Sequence, residues 1–303
     1  MVEEYGIAGT AKRLGISDRN AFRRRATLEA KLGKPIKTPD RNRDRLLAEK
    51  HPQRIILDIP NGIVLVGSDG HYWPGEASVA HRAFVAFTKK LKPAAVIANG
   101  DCFDGASISR YPPIGWASQP TVQQEIEACQ DRLDEIAKAI PKGCRLIWSL
   151  GNHDARFETR IAQVAPEFAK VAGTSLRDHF PLWEPCWSTW INDNTVIKHR
   201  FKGGMHAPQN NTLWAGMHMV TGHLHSAKVQ PITDYKGTRF GVDTGCLADT
   251  FGEPFRDYTE DNPRNWRSGF AVLTYRDRQL MWPELVVAVD ETRVQFRGEL
   301  IEV

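Results

Sequence analysis

Ser149-Leu150-Gly151-Asn152-His153-Asp154 is the stretch on which the reading of this chain turns. A strand-like apolar run (residues 144–148) leads into it and a helix-like run (156–171) leads away. A sharp Gly-Asn turn between them lifts an amide oxygen, an imidazole and a carboxylate to the mouth of a sheet. Open α/β sheets bind ligands there, just beyond the carboxyl ends of their strands. Taken alone, the tetrapeptide from Gly151 to Asp154 is a turn signal, because Gly, Asn and Asp all favour turns. Its meaning depends on what the remaining chain adds.

Upstream, residues 54–59 and 63–67 bracket Pro60-Asn61-Gly62, a hairpin pattern. The second run enters Ser68-Asp69-Gly70-His71. A helix over 76–91 follows, with Ala80, Phe84, Phe87 and Leu91 inward, and then a strand over 94–98 ending in Asn99-Gly100-Asp101-Cys102-Phe103-Asp104. The loop over 105–120 carries Arg110, Tyr111 and Trp116 and is too long for a mere connector. A helix over 122–140 returns the chain to the 144–148 strand. Downstream come a Trp-rich segment (Trp183, Trp187, Trp190), a strand over 195–198 ending at His199, and a strand over 217–221 ending at Gly222-His223-Leu224-His225. The tail reads as strands over 228–232, 239–244, 269–275, 284–289 and 294–301. Strand-helix alternation followed by a strand-rich tail predicts two packed sheets with helices outside.

The totals suit one large domain with a small appendage. The chain has 303 residues, 41 % of them hydrophobic, enough for a substantial core. No apolar run approaches the roughly 18 residues that span a bilayer. The N-terminus, Met-Val-Glu-Glu-Tyr, lacks a secretory profile. Five scattered cysteines (Cys102, Cys129, Cys144, Cys186, Cys246) form no Cys-x-x-Cys pair, which is thiol usage for a reducing, cytoplasmic setting. The net charge of +4 is uneven. Residues 1–54 hold 14 Lys and Arg against 7 Asp and Glu, and the remainder holds 26 against 29. A basic head on a mildly acidic body points the head towards a polyanion.

Within that head, a short helix over 10–14 is expected to break at Gly15, with Ser17 or Asp18 capping a second helix that runs to Leu32. Ala21, Leu28 and Leu32 share one face of it, joined by Phe22 and Arg25. The pattern resembles the helix-turn-helix of DNA-binding proteins, which implies DNA contacts from Arg19, Arg23 and Arg24. Only eight residues precede it, too few for a full supporting helix. The expected organisation is a helix-turn-helix-like basic segment over 1–33, a linker over 34–53 and a main domain over 54–303.

The strand ends now carry Asp69-x-His71, Gly100-Asp101-x-x-Asp104, Gly151-Asn152-His153-Asp154, His199 and Gly222-His223-x-His225. Residues two apart on a strand point the same way, so Asp69 with His71 and His223 with His225 can each face one small volume. Two divalent ions about 3.5–4 Å apart are within reach of such pairs. Nitrogen and oxygen donors without thiolate disfavour soft-metal sites, and four histidines disfavour Ca²⁺ or Mg²⁺ alone. That leaves Mn²⁺, the favoured ion, with Fe, Zn²⁺ or Ni²⁺ as alternatives. His-x-His also opens amidohydrolase barrels, but there it comes first, and no eightfold repeat is present here.

In this order the motifs resemble the calcineurin-like metallophosphoesterases over about residues 55–250. The resemblance implies an α/β fold, a four-layer α/β/β/α sandwich of two mixed sheets flanked by helices, here with a small all-α N-terminal segment. It implies a first metal on Asp69, His71 and His225, a second on Asn152, His199 and His223, and Asp101 bridging both. In the fourth motif His199 fits and His206 is its rival. Two dications, two carboxylates and a bridging hydroxide leave about +1, suited to a phosphate ester. The hydroxide would attack phosphorus in line. His153 would protonate the leaving alcohol, oriented by Asp154 or Asp104.

Arg110, Tyr111, Trp116, Arg156, Arg160 and His206 are candidate substrate contacts, since aromatic and Arg side chains stack on unpaired bases and hold phosphates. His81 and His179 read as surface residues, His218 as a strand residue, and Asn210 and Asn211 as turn formers. The basic head joined to such a site predicts a nuclease, a phosphodiesterase acting on nucleic acid in a phage or mobile-element setting. The alternatives are a phosphomonoesterase for phosphoprotein or nucleotide, and a DNA-binding adaptor with a vestigial cage.

Overall fold

The computed structural model describes residues 2–33, 36, 52–111, 118–252, 255, 262 and 264–303. Trp116, His51 and most of the expected linker over 34–53 lie outside them. The chain divides into two compact units, residues 1–50 with 167–171, and residues 51–166 with 172–303.

In the first unit two helices are joined by a tight turn. Helix α1 (Val2–Leu14) is far longer than the single turn expected, taking in the residues that precede the motif. It ends at Gly15 with a left-handed φ of +61°. Helix α2 (Asp18–Leu32) begins at Ser17, whose hydroxyl accepts the Asn20 N–H at 3.3 Å, and stops at left-handed Gly33. The packed face differs from the expected one. Ala21 is buried with Thr10 and Ala11, whereas Phe22, Leu28 and Leu32 are exposed. Arg25 is taken up by Glu29 one turn on, at 2.8 Å.

The second unit is a four-layer sandwich. Its larger sheet runs β15 (Glu299–Glu302), β14 (Arg293–Phe296), β13 (Glu284–Ala288), β11 (Gly269–Arg276), β2 (Gly62–Gly67), β3 (Ala95–Ala98), β4 (Arg145–Ser149), β5 (Glu184–Cys186), with β12 (Gln279–Leu280) folded back on β11. Strands β2 to β5 are parallel, and β11 onward is antiparallel. The second sheet runs β1 (Ile55–Leu57), β6 (Thr189–Ile191), β7 (Thr195–Ile197), β8 (His218–Thr221), β10 (Gly237–Asp243), β9 (Lys228–Asp234), with β7, β8 and β10 parallel.

Between the sheets lie Val64, Val66, Ala95, Ile97 and Ile147 from one side and Ile191, Ile197, Val220 and Val242 from the other. The alternate residues Leu65, Val96, Leu146 and Trp148 face outward onto helices α3 (Val79–Leu91) and α4 (Val122–Ala139), against Ala80, Phe84, Phe87, Cys129, Leu133 and Ile136. Parallel strands covered on both faces must be apolar throughout, which is why these runs read as continuous. Each covering helix has its own start signal: Ser78 caps α3, and Thr121 with Gln124 forms a capping box on α4. Helix α5 (Asp154–Val164) follows β4, and α6 (Ala207–Ala215) closes the outer face of the second sheet. It lies so near that a Cβ on Gly241 of β10 would sit 2.1 Å from the Pro208 carbonyl.

Several sequence expectations change. Residues 54–67 form no hairpin: β1 joins one sheet and β2 the other. The Asn192 side chain explains the crossing, accepting Ile59 N–H at 2.8 Å and donating to Ile59 C=O at 2.7 Å, which leaves the Pro60 turn no ladder to continue. Asn210 and Asn211 are not turn residues; they lie inside α6, started by Pro208 and stopped by left-handed Gly216. Arg297 and Gly298 divide the last strand into a hairpin. His81 is buried, held between Tyr72 Oη at 3.0 Å and Glu135 at 2.9 Å. Among the described residues no helix is long and apolar enough to cross a membrane.

Candidate metal centre

All five motifs stand at carboxyl ends of parallel strands: β2, β3 and β4 in one sheet, β7 and β8 in the other. The convergence is not made by strand alternation, as the sequence suggested. Asp69, His71, Asp101, His223 and His225 lie just past their strands and take left-handed φ values of +53°, +39°, +53°, +71° and +55°. Each such residue costs about 1–2 kcal/mol, and strain of this kind gathers where function needs an otherwise poor conformation. Hydrogen bonds between the loops hold it in place. Asp69 N–H donates to Gly100 C=O (2.8 Å), His71 N–H to Asp101 C=O (2.9 Å), and Gly222 N–H to His199 C=O (2.9 Å). The motif glycines leave room for neighbouring carboxylates. A Cβ on Gly151 would lie 2.0 Å from Asp101 Oδ1, and one on Gly222 2.6 Å from Asp69 Oδ2.

Three groups of donor atoms close enough to hold a metal ion result among the described residues: Asp69 with His71 and His225, Asp101 with His199 and His223, and His71 with Asp104 and His153. The ring tautomers are fixed from behind. Asp104 Oδ1 accepts from His71 Nδ1 at 3.0 Å, and Asn99 C=O accepts from His199 Nδ1 at 2.8 Å. In each ring Nδ1 is therefore the donor engaged from behind, and Nε2 is the atom turned towards the other motifs. His71 Nε2 and Asn152 Oδ1 are buried with no hydrogen-bond partner, and His199 Nε2 meets only a carboxylate. His199 Nε2 lies 2.9 Å from Asp101 Oδ2, and His225 Nε2 lies 3.0 Å from Asp69 Oδ1. Nitrogen and carboxylate oxygen atoms at these separations match the edges between ligands of a cation bound at about 2.0–2.2 Å, which would replace the protons between them.

Charge gives the same answer. Burial pushes the Asp69 carboxyl up, but His225 and His199 outweigh it and hold it well below the usual range. Asp101 is likewise held low against its burial, by His199 and then His153. His199 resists burial because of Asp101 and Asp69, and rises to about 10. Two buried carboxylates thus demand positive charge, which divalent ions would supply in place of protons.

Beside these groups, Asp104 Oδ1 also accepts from His153 Nδ1 at 2.6 Å, and Trp73 Nε1 donates to Asp104 Oδ2 at 3.1 Å. Arg156 donates to the Asp104 carbonyl (2.9 Å) and to His153 Nε2 (3.0 Å). Burial depresses the His153 imidazole, but Asp104 and Asp101 more than restore it, and the net shift is upward. The carboxylate that orients His153 is therefore Asp104. Asp154, the other carboxylate expected to orient His153, is turned onto the backbone instead. Its two oxygens accept the backbone N–H groups of Gly151 (2.7 Å), Asp101 (2.8 Å), Cys102 (3.1 Å) and Phe103 (3.1 Å), and the Trp148 indole at 3.1 Å.

His206 joins no donor group among the described residues. It sits exposed before α6, carried outward past Gly203 and Gly204. Arg110 and Tyr111 are exposed and stack on each other, and Arg160 points to solvent one turn beyond Arg156. Arg19, Arg23 and Arg24 are exposed on α2. The sequence reading missed Phe255 and Trp266. The Phe255 ring lies 5.1 Å from His71 and 5.4 Å from His225, and Trp266 lies 4.7 Å from His225. The one signal for them was the length of the segment between β10 and β11, longer than a connector needs.

No model of a known protein family matches the chain. Among curated proteins it is similar to the gene 54 protein of Mycobacterium phage L5, 24 % identical over 232 residues that cover 69 % of this chain and 87 % of that protein. Among solved structures it is similar to a single mutant of Vps29 from Entamoeba histolytica, with a TM-score of 0.41 and 14 % identity over 80 % of this chain and 99 % of that one. Wild-type Vps29 from the same organism, complexed with Zn²⁺, gives a TM-score of 0.41 and 14 % identity over 79 % and 98 %. A Saccharomyces cerevisiae protein serine/threonine phosphatase with similarity to human phosphatase PP5 gives 0.39 and 12 % over 85 % and 92 %.

Proposed function

We propose that the chain is a metal-dependent phosphoesterase that cleaves phosphodiester bonds of nucleic acid. The observation that carries this reading is the convergence of buried donor atoms from separate loops, with His71 Nε2 and His199 Nε2 fixed from behind and set among Asp69 and Asp101. Asp69, His71 and His225 would hold one divalent ion and Asn152, His199 and His223 another, with Asp101 shared. Such ions supply Lewis acidity towards phosphoryl oxygens and a nucleophile active near neutral pH.

The chain's own groups do the rest. Arg156, on the near side of His153, binds a non-bridging phosphoryl oxygen and draws the ester towards the imidazole. In the structure His153 Nε2 accepts from Arg156; once that guanidinium turns to the phosphoryl oxygen, the protonated imidazole carries a proton on Nε2 and delivers it to the leaving oxygen, while Asp104 steadies the charge through Nδ1. The basic head, with Arg19, Arg23 and Arg24 exposed on α2, supports a nucleic-acid substrate by raising the local concentration of polyanion around the same chain.

The test is incubation of the Mn²⁺-supplemented protein with single- and double-stranded DNA, beside a nitrophenyl monoester and diester. Cleavage of DNA and of the diester is expected. Turnover of the monoester alone would end the nuclease reading.

A further inference from the structure

Between Asp193 and Asp234 the chain contains no Asp or Glu, although acids outnumber bases in the body as a whole. Lys198, Arg200, Lys202 and Lys228 all fall within that run. The fold gathers it onto one surface, the loop after β7 and the outer side of α6. Arg200 directly follows the metal-ligand candidate His199.

The same surface exposes large rings and a thioether that a packed core would bury. Phe201 is 45 % exposed, Trp214 70 % and Met205 79 %. Cation and ring are interleaved: Lys202 Nζ stands 3.3 Å from the centroid of the Trp214 ring, and Lys198 Nζ 5.5 Å from that of Phe201. The loop is also built firmly. Buried Asn211 accepts the Lys202 N–H at 3.0 Å and donates to the Lys202 carbonyl at 3.3 Å, clamping the loop to α6. Lys228 Nζ donates to the Met205 carbonyl at 3.4 Å.

We propose that this surface is a track for single-stranded nucleic acid, leading to the site at His199 and His223. The proposal rests on the phosphoesterase reading of that site and specifies the substrate form. Cations drawn from a run that holds no acid match a phosphate backbone, and exposed ring faces between them match unpaired bases, which a duplex keeps stacked within itself. An acidic polypeptide would satisfy the charges and leave Trp214 without a role.

The test uses the full-length, metal-loaded chain, with His153→Ala to slow cleavage, and a fluorescent thymidine oligomer of about 20 nucleotides. Trp214→Ala should weaken binding roughly 5- to 150-fold. Arg200→Ala with Lys202→Ala should reduce the salt slope of log affinity by about 1.4. Trp282→Ala, at an exposed Trp outside the acid-free run, should leave binding as it was. An iodouracil version of the oligomer should crosslink to the peptide carrying Phe201 or Trp214. Crosslinks confined to residues 1–33, Trp214→Ala binding within roughly twofold of its parent, or equal binding of poly-glutamate would overturn the track. Turnover of the nitrophenyl diester by the unsubstituted chain reports separately. If it is absent while crosslinks fall on Trp214, the phosphoesterase reading fails and the track stands; if it is present while crosslinks fall elsewhere, only the track fails.

Discussion

His71 and His153 are joined through a single oxygen. Asp104 Oδ1 accepts from both Nδ1 atoms, at 3.0 and 2.6 Å, and the two rings stand perpendicular with centroids 4.7 Å apart. A metal-ligand candidate and the proposed proton donor thus share one anchor.

Substituting Asp104→Asn should disturb both rings together. The upward shift of His153 depends on the Asp104 charge, so its pKa should fall. The acid form would then be lost at lower pH, and the basic limb of the rate profile should move down. Rates should drop about 10²–10⁴-fold for alkyl leaving groups, which need a proton, and far less for nitrophenolate, which does not. Metal affinity should fall roughly 10- to 100-fold through His71. An unchanged pH profile would show that Asp104 is a bystander.

Asp154→Ala should fail by unfolding rather than by lost chemistry. It strands four buried backbone N–H groups and an indole, each worth about 1–3 kcal/mol when left unpaired. A loss above about 4 kcal/mol in denaturant melts is expected, against less than about 1 kcal/mol for the half-buried His153→Ala. A stable but inactive Asp154→Ala would instead return Asp154 to the reacting groups.

Stability should fall in acid partly through His218. Its Nδ1 accepts the Phe240 N–H at 3.0 Å and its ring stacks on Phe240, so the folded chain needs it neutral. Burial, then Arg239, depresses its pKa from 6.5 to about 4. The unfolded chain takes up a proton across that window which the folded chain refuses, so stability falls as pH drops from 6.5 towards 4. The expected loss is on the order of 1–2 kcal/mol, allowing for partial solvent contact. His218→Asn can accept the same N–H without titrating and should flatten that part of the profile in melts at pH 7 and pH 4.5. An unaltered profile would assign the acid sensitivity elsewhere.

The sheet core and the motif order were legible because apolar runs ending in Gly, Asp and His are local patterns. Asp69 and His71 could be paired from spacing alone, yet the means was hidden: left-handed residues past the strand, not alternation within it. The choice between Asp104 and Asp154 was equally out of reach, since it depends on which carboxylate meets backbone N–H groups from two loops. Residues 54–67 misled because Pro60-Asn61-Gly62 is a sound turn signal, and the decisive partner, Asn192, lies far along the chain. Helix α6 was missed because paired Asn residues suggest a turn unless packing on β10 intervenes.

In the proposed centre seven side chains from five loops enclose two cations. Titration of the chelator-stripped protein with Mn²⁺, followed by calorimetry and by the magnetic coupling of the bound ions, tests it most directly. Two coupled ions per chain are predicted, with coupling abolished by Asp101→Ala and one ion retained. A single uncoupled ion, or binding indifferent to Asp101→Ala and His199→Ala, would contradict it.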